Sequence, residues 1–256
     1  MQAETRAVRR HELVLFLLLV ISGAFFHGGG ASNQNVRFDA MVAAVEGEGF
    51  RIDRFMRGPD GILSEPPPTG GNTVDWSFSP PDGVVQSPPG SGLEEGHYYA
   101  NKAPGTILIG SFVYAALRGV GGVFGTGPPS PAATEIQLYL VNLLLSVVMV
   151  ALAALAIRRM ALSLGTSQLR ATTLALLTVL ATPFLPYQTQ LWGHPTAAAF
   201  AALGLAAAFR LDRRGAFLCG FSVGMALLCD YLAILWVFLL GIWWAWKRPR
   251  LLAIWF

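Results

Sequence analysis

Ile136–Ile157 (IQLYLVNLLLSVVMVALAALAI) runs for 22 residues without a charged side chain. As a helix it would extend about 33 Å, enough to cross the roughly 30 Å hydrocarbon core of a bilayer. Comparable but shorter apolar stretches occur at Leu13–Phe26, Ala171–Pro186, Pro195–Phe209, Ala216–Cys229 and Tyr231–Trp246. The shorter ones need tilt, snorkelling ends or neighbouring helices to span. Hydrophobic residues make up 54% of the chain and charged residues 13%, where a soluble domain carries about 25% charged. The expected fold is all-α, a polytopic helical membrane protein of about six spans with a large extracytoplasmic first loop.

Orientation follows from the basic residues, which favour the cytoplasmic side of short loops. Arg6, Arg9 and Arg10 precede the first stretch, and Arg158, Arg159 and Arg170 follow Ile157. Arg210, Arg213 and Arg214 follow Phe209, and Lys247, Arg248 and Arg250 follow Trp246. These 12 of 18 basic residues fall on one side if the spans alternate and Thr106–Phe124 does not cross. That stretch therefore reads as a surface or dipping helix, its end loosened by Gly119, Gly121, Gly122 and Gly125. The expected organisation is a cytoplasmic N-terminus (1–12), a first span (13–30), an outer loop (31–135), a membrane bundle (136–246) and a cytoplasmic C-terminus (247–256). Arg9-Arg10, an apolar run and the small residues after His27 also resemble a signal peptide. A retained anchor fits better, because the later helices need it as a packing partner.

The outer loop holds 11 acidic and 6 basic residues. The pI near 9.1 thus reflects topology, and no basic patch interleaved with loop aromatics points to nucleic acid. Within the loop, 35–47 reads as an amphipathic helix lying flat at the membrane surface, with Asn35, Asp39 and Glu46 on a polar face and Gly47 and Gly49 as the stop. Gly58–Gly96 carries eight Pro and eight Gly in 39 residues and reads as an irregular solvated lobe, with Val74–Phe78 its apolar patch. The motif and surface helix follow at 97–124. Leu251–Phe256 reads as the opening turns of a further span, so that the chain is short at its C-terminus. Cys219 and Cys229 lie in one apolar stretch and read as small core residues.

The residues suited to chemistry are expected on the outer face: Asp39, Asp53, Asp75, His97, Tyr98, Tyr99, Lys102, Tyr187, Gln190, Trp192 and His194. A carboxylate base beside an imidazole and an ammonium could handle a lipid-phosphate donor. Blander readings stand beside this one. Asp39 could be solvated on its helix, His97 and Lys102 a snorkelling pair, the tyrosines and Trp192 an aromatic belt. His194 could simply cap the next span, and Asp230 is a functional residue or a hairpin residue in equal measure. No metal-ligand spacing appears; a divalent cation held by Asp39 and other oxygens is compatible with the sequence but not signalled by it.

Asn33–Asp39, Ile52-Asp53, Val74-Asp75 and Gly96-His97-Tyr98-Tyr99-Ala100-Asn101-Lys102-Ala103-Pro104-Gly105 occur in that order. They resemble the first outer loop of bacterial multi-pass proteins related to the GT-C class of glycosyltransferases, which includes protein O-mannosyltransferases and lipid A aminoarabinose transferases. Pro183–Tyr187, Gly193-His194-Pro195 and Gly220 through Asp230-Tyr231 are similar to later segments of that family. The resemblance implies a bacterial cytoplasmic membrane enzyme that transfers a sugar from a polyprenyl-phosphate donor to an extracytoplasmic acceptor. It implies Asp39 as catalytic base, and substrate contacts from His97, Tyr99, Lys102, Tyr187 and His194, supported by Arg37, Asp53 and Asp75. No nucleotide sugar or certain cofactor is implied. The chain departs from the family in having a single acid at Phe38-Asp39-Ala40, a longer Pro-Gly lobe and fewer spans. The alternative expectation is a non-catalytic membrane protein that binds or presents polyprenyl-linked lipids. Scarcity of intramembrane charge argues against a transporter.

Overall fold

The computed structural model describes residues 2–28, 32–56, 75–79, 96–124 and 131–255. In chain order the elements are α1 (Gln2–Phe25), α2 (Ser32–Val45), α3 (Asp53–Met56), β1 (Trp76–Ser79), β2 (His97–Ala100), α4 (Pro104–Phe124) and α5 (Pro131–Asn142). A π-helical turn at Leu143–Val147 leads into α6 (Val148–Ser163), α7 (Gln168–Leu180), α8 (Phe184–Gln188), α9 (Gly193–Ala208) and α10 (Arg213–Cys229). A 3₁₀ turn at Tyr231–Ala233 precedes α11 (Ile234–Lys247), and another at Pro249–Leu251 precedes α12 (Leu252–Trp255). Of the described residues, 79% are helical, with little sheet, as expected of an all-α protein. It divides into two compact units, 1–27 with 142–256, and 28–141.

In the first unit the apolar stretches fall on helices, except that Ala171–Pro186 is broken at 181–183 between α7 and α8. One core joins Leu15 and Leu19 of α1 to Val150, Ala151 and Ala154 of α6 and to Ala175 and Val179 of α7. A second joins Ala207 and Ala208 of α9, Ala216, Cys219 and Val223 of α10, Leu240 and Trp244 of α11, and Trp255 of α12. The distribution of size is inverted relative to a water-soluble bundle. Ala and Gly crowd the α9–α10 seam, where a Cβ on Gly204 would sit 3.0 Å from Val223 Cγ1. Large apolar side chains instead face outward: Phe217 and Phe221 on α10, Leu235, Phe238 (62% exposed) and Ile242 (67%) on α11, Leu18 and Ile21 on α1.

The helices alternate in direction. Thr196 Oγ1 donates to Leu145 O at 2.8 Å, so α6 and α9 start at the same end. At the opposite end Glu12 bridges Arg158 (3.2 Å) and Arg159 (2.6 Å). Arg158, 1% exposed at its side chain, also donates to Thr172 Oγ1 at 3.1 Å and Gln168 Oε1 at 2.5 Å. Leu211 and Lys247–Leu251 surround one cavity, so the later basic clusters share that end too. α6 stops in a Schellman turn, with Gly165 (φ +83°) donating to Leu162 O and Thr166 donating to Ala161 O, the pattern glycine at that position permits. The C-terminal segment folds back into the bundle. Trp255 is buried and donates to Cys219 Sγ at 3.3 Å, and a Cβ on Gly220 would lie 1.7 Å from Trp255 O.

Among the described residues, one helical run of 30 residues, Thr134–Ser163, is long and apolar enough to cross a membrane by length and composition, with mean hydropathy 2.7 over its most apolar 18-residue window. α7, α9, α10 and α11 have 13, 16, 17 and 14 residues, about 20–26 Å each.

The second unit departs from the sequence reading in two respects. α2 is not a flat amphipathic helix with a solvated face. Val36, Phe38, Ala40, Met41 and Ala43 are buried, and so are Gln34, Arg37 and Asp39. The helix is enclosed on most sides, with Phe38 edge-on to Tyr114 of α4 at 5.6 Å. Secondly, the motif opens as a strand. Trp76–Ser79 pairs antiparallel with His97–Ala100, so the segment read as irregular lobe contributes a strand and the helix begins only at Pro104. Aromatic side chains drive this: Trp76 and Phe78 both pack on Tyr98 at 5.0 Å, which places Tyr98 in the core, away from any aromatic belt. The remainder of the 58–96 lobe lies outside the described residues. α4 runs to Phe124, the end expected of the surface helix; Gly119, Gly121 and Gly122 lie within it, because a helical glycine costs only about 1 kcal/mol and does not by itself end a helix.

Candidate functional site

In the second unit, α2 carries Asp39 into a buried position, 7% exposed. Among the described residues its Oδ2 has no hydrogen-bond partner. Burial pushes the carboxyl up from 3.8 to about 7, against the opposing pull of the Arg54 guanidinium. A carboxyl that titrates near neutrality and keeps an oxygen free has the properties of a general base. Arg54 was not singled out from the sequence. It is anchored by Glu46 (2.7 Å) and Glu48 (3.0 Å), which hold its charge in place while leaving Asp39 outside the ion pairs. Nothing in the spacing of these residues signals that arrangement.

The motif strand is fastened by the two carboxylates expected to support it. Asp53 Oδ1 accepts from Tyr98 N at 2.7 Å and Oδ2 bonds His97 Nδ1 at 2.8 Å. Asp75 Oδ1 pairs with Lys102 Nζ at 2.9 Å, and its carbonyl accepts from Asn101 N at 2.8 Å. His97 and Lys102 are therefore each held by a carboxylate. Tyr99 is half-buried on β2 and bridges to Arg51. Arg37 donates to Asn33 O at 2.7 Å and to the Asn33 side chain; it is buried and braces α2. No hydrogen bond or ion pair among the described residues joins Asp39 to His97 or Lys102. Gly96 opens the motif for a packing reason, since a Cβ there would come within 2.0 Å of Phe78 Cζ and 2.7 Å of Ser79 O.

In the first unit, Tyr187 and His194 lie together. Their rings are 5.7 Å apart, and Trp192 stands 4.8 Å from Tyr187 and 6.0 Å from His194. Both line a mostly apolar pocket of about 330 Å³ with Thr178, Pro183, Phe184 and Pro195. His194, at the second position of α9, bonds Asp230 Oδ2 through Nδ1. Asp230 also accepts from Leu232 N at 3.0 Å. The two sequence readings of Asp230 are thus reconciled: it caps the turn after α10 and orients His194. The signal for that pairing was the lone carboxylate in an apolar run.

Cys219 and Cys229 are buried and not joined in a disulfide. Among the described residues, no group of three or more His, Cys, Asp or Glu side chains is placed to hold a metal ion. The helical elements thus assemble two polar clusters of different character, a buried carboxyl with flanking ion pairs and an aromatic-rimmed pocket with an oriented imidazole. No protein-family model, no curated protein and no solved structure matches the chain.

Proposed function

We propose that the chain is a polytopic membrane glycosyltransferase of GT-C type, moving a sugar from a polyprenyl-phosphate donor to an extracytoplasmic acceptor. Membrane residence in the bacterial cytoplasmic membrane is favoured by the inverted bundle, with large apolar residues outward and small ones at the seam, and by the basic residues gathered at one end. Tilt or local thinning accommodates the shorter helices.

The observation that carries the catalytic reading is Asp39, a buried carboxyl with a free oxygen and a pKa of about 7. In the proposed step the acceptor hydroxyl passes its proton to Asp39 while its oxygen attacks the anomeric carbon. The bond from that carbon to the lipid-phosphate oxygen breaks, and its electron pair leaves with the phosphate. His97 and Lys102 stabilise that leaving group. The test is sugar transfer in membranes from polyprenyl-phosphate donors. Asp39→Asn is expected to lower the rate by about a hundredfold or more, and wild-type activity is expected to rise with pH through about 7 as Asp39 ionises. Full activity of Asp39→Asn would defeat the assignment.

A second reading has one specific support. His97 and Lys102 are already held by Asp53 and Asp75, which suits a protein that binds or presents a polyprenyl-linked lipid without turnover. It predicts donor binding that is unchanged in Asp39→Asn, with no product formed by either protein.

A further inference from the structure

The cavity at the basic end of the first unit has no part in the proposed transfer. It measures about 410 Å³ and is lined by Leu211, Lys247, Arg248, Pro249, Arg250 and Leu251. Three of the six lining residues are cationic. The link beside it adds Arg210, Arg213 and Arg214 against a single carboxylate, Asp212. That carboxylate is committed as the cap of α10, accepting from Gly215 N at 2.5 Å, and pairs loosely with Arg210 at 3.5 Å. Elsewhere in this unit the acids are Glu4, Glu12 and Asp230. Glu12 is taken by Arg158 and Arg159, and Asp230 by His194 at the other end. Among the described residues no ion pair joins a carboxylate to Lys247, Arg248 or Arg250.

Two further features mark it as built. Leu211 holds φ +50°, the one non-glycine residue in the left-handed region among those described. A bulky residue adopts that conformation at a cost, and such strain persists where the surroundings demand it. Lys247 Nζ stands over the rings of Trp246 (4.0 Å) and Trp243 (5.2 Å), which puts an indole pair beside the cations. Guanidinium groups over a cavity, with indoles at the rim, suit a phosphodiester whose acyl chains run down an apolar helix face. Ile242 and Leu239 of α11 supply such a face.

We propose that this cavity binds the phosphate of an anionic glycerophospholipid, with Arg248 and Arg250 as the principal ligands. The inference rests on the membrane reading above but not on the glycosyl transfer.

The experiment uses the full chain purified in a non-ionic detergent, with phosphatidylglycerol, phosphatidylcholine or inorganic phosphate added, and reads bound lipid by native mass spectrometry and thermal stability. Phosphatidylglycerol is expected to bind and raise the melting temperature, phosphatidylcholine to do neither. Arg248→Gln/Arg250→Gln is expected to weaken phosphatidylglycerol binding about thirtyfold, with Arg248→Lys/Arg250→Lys restoring most of it. Unaltered lipid-free melting of the Gln variant shows that it folds. Equal binding of the two lipids, or no loss in the Gln variant, overturns the proposal. A shift by inorganic phosphate that phosphatidylglycerol does not reproduce overturns the lipid as source. Release of the chain from membranes by alkaline carbonate would instead overturn the membrane reading itself, and the two failures are thereby separated.

Discussion

Both units bury a charged group within a helix, and they handle it in opposite ways. In the first, Arg158 is enclosed between α1, α6 and α7 with every direction answered: Glu12, Gln168 and Thr172 all accept from it. In the second, Asp39 is enclosed on α2 with Oδ2 unanswered and its proton affinity raised. A charge removed from water is costly unless paired and hydrogen-bonded. The first arrangement meets that cost locally and fastens α1 into the bundle. The second leaves it standing, the feature on which the proposed role of Asp39 rests.

Removing a partner from the satisfied site should have the largest effect. Glu12→Ala strands the Arg158 charge and is expected to destabilise the first unit by about 3–5 kcal/mol, read as lost melting temperature in detergent. Glu12→Leu combined with Arg158→Met should recover most of that, because the desolvation cost disappears with the pair. A loss in Glu12→Ala too small to measure would end the contrast.

The unanswered site should respond with the opposite sign. Asp39 titrates at 3.8 when unfolded and about 7 when folded. Between those values the folded chain holds a proton that the unfolded chain releases, so Asp39 makes stability fall as pH rises from about 4 to about 7, levelling above that. Asp39→Asn removes this dependence. It should melt higher than wild type, by an increment that grows from pH 5 to pH 8 and reaches at most about 4 kcal/mol at roughly 1.4 kcal/mol per pKa unit. A gap that does not change with pH would mean that Asp39 is not the titrating group. The Lys102–Asp75 pair, 18% and 25% exposed at its side chains, lies between the extremes, and Lys102→Met is expected to cost about 1–3 kcal/mol. If it matched Glu12→Ala, Lys102 would belong with the structural charges.

What the sequence disclosed divides along similar lines. The helices follow from composition and length, so Leu13–Phe26 and Tyr231–Trp246 fall on α1 and α11. The stop at Gly47 was equally legible, since only the left-handed backbone that glycine tolerates turns the chain there (φ +88°). The environment of α2 was not. Val36 through Ala43 is buried without interruption, and a helix enclosed on most sides has no apolar stripe to detect, so its polar residues read as a solvated face. The β1–β2 ladder was hidden because Trp76–Ser79 and His97–Ala100 are separated by a Pro-Gly-rich stretch, and pairing across such a distance leaves no local periodicity. Asp53, Asp75 and Asp230 were each noticed as carboxylates. Which cation each would meet is a property of the folded chain alone.

Gly220 has a consequence for how this sequence can vary. Its missing side chain is the space into which the Trp255 carbonyl settles, so even the smallest replacement pushes one backbone against another. No flexible group is available there to yield. A library randomised across α10 and selected for folded protein should therefore retain many side chains at the outward positions Phe217 and Phe221, yet return glycine alone at 220. Mutational tolerance along this helix would trace where α12 lies, with no reference to the chemistry the protein performs.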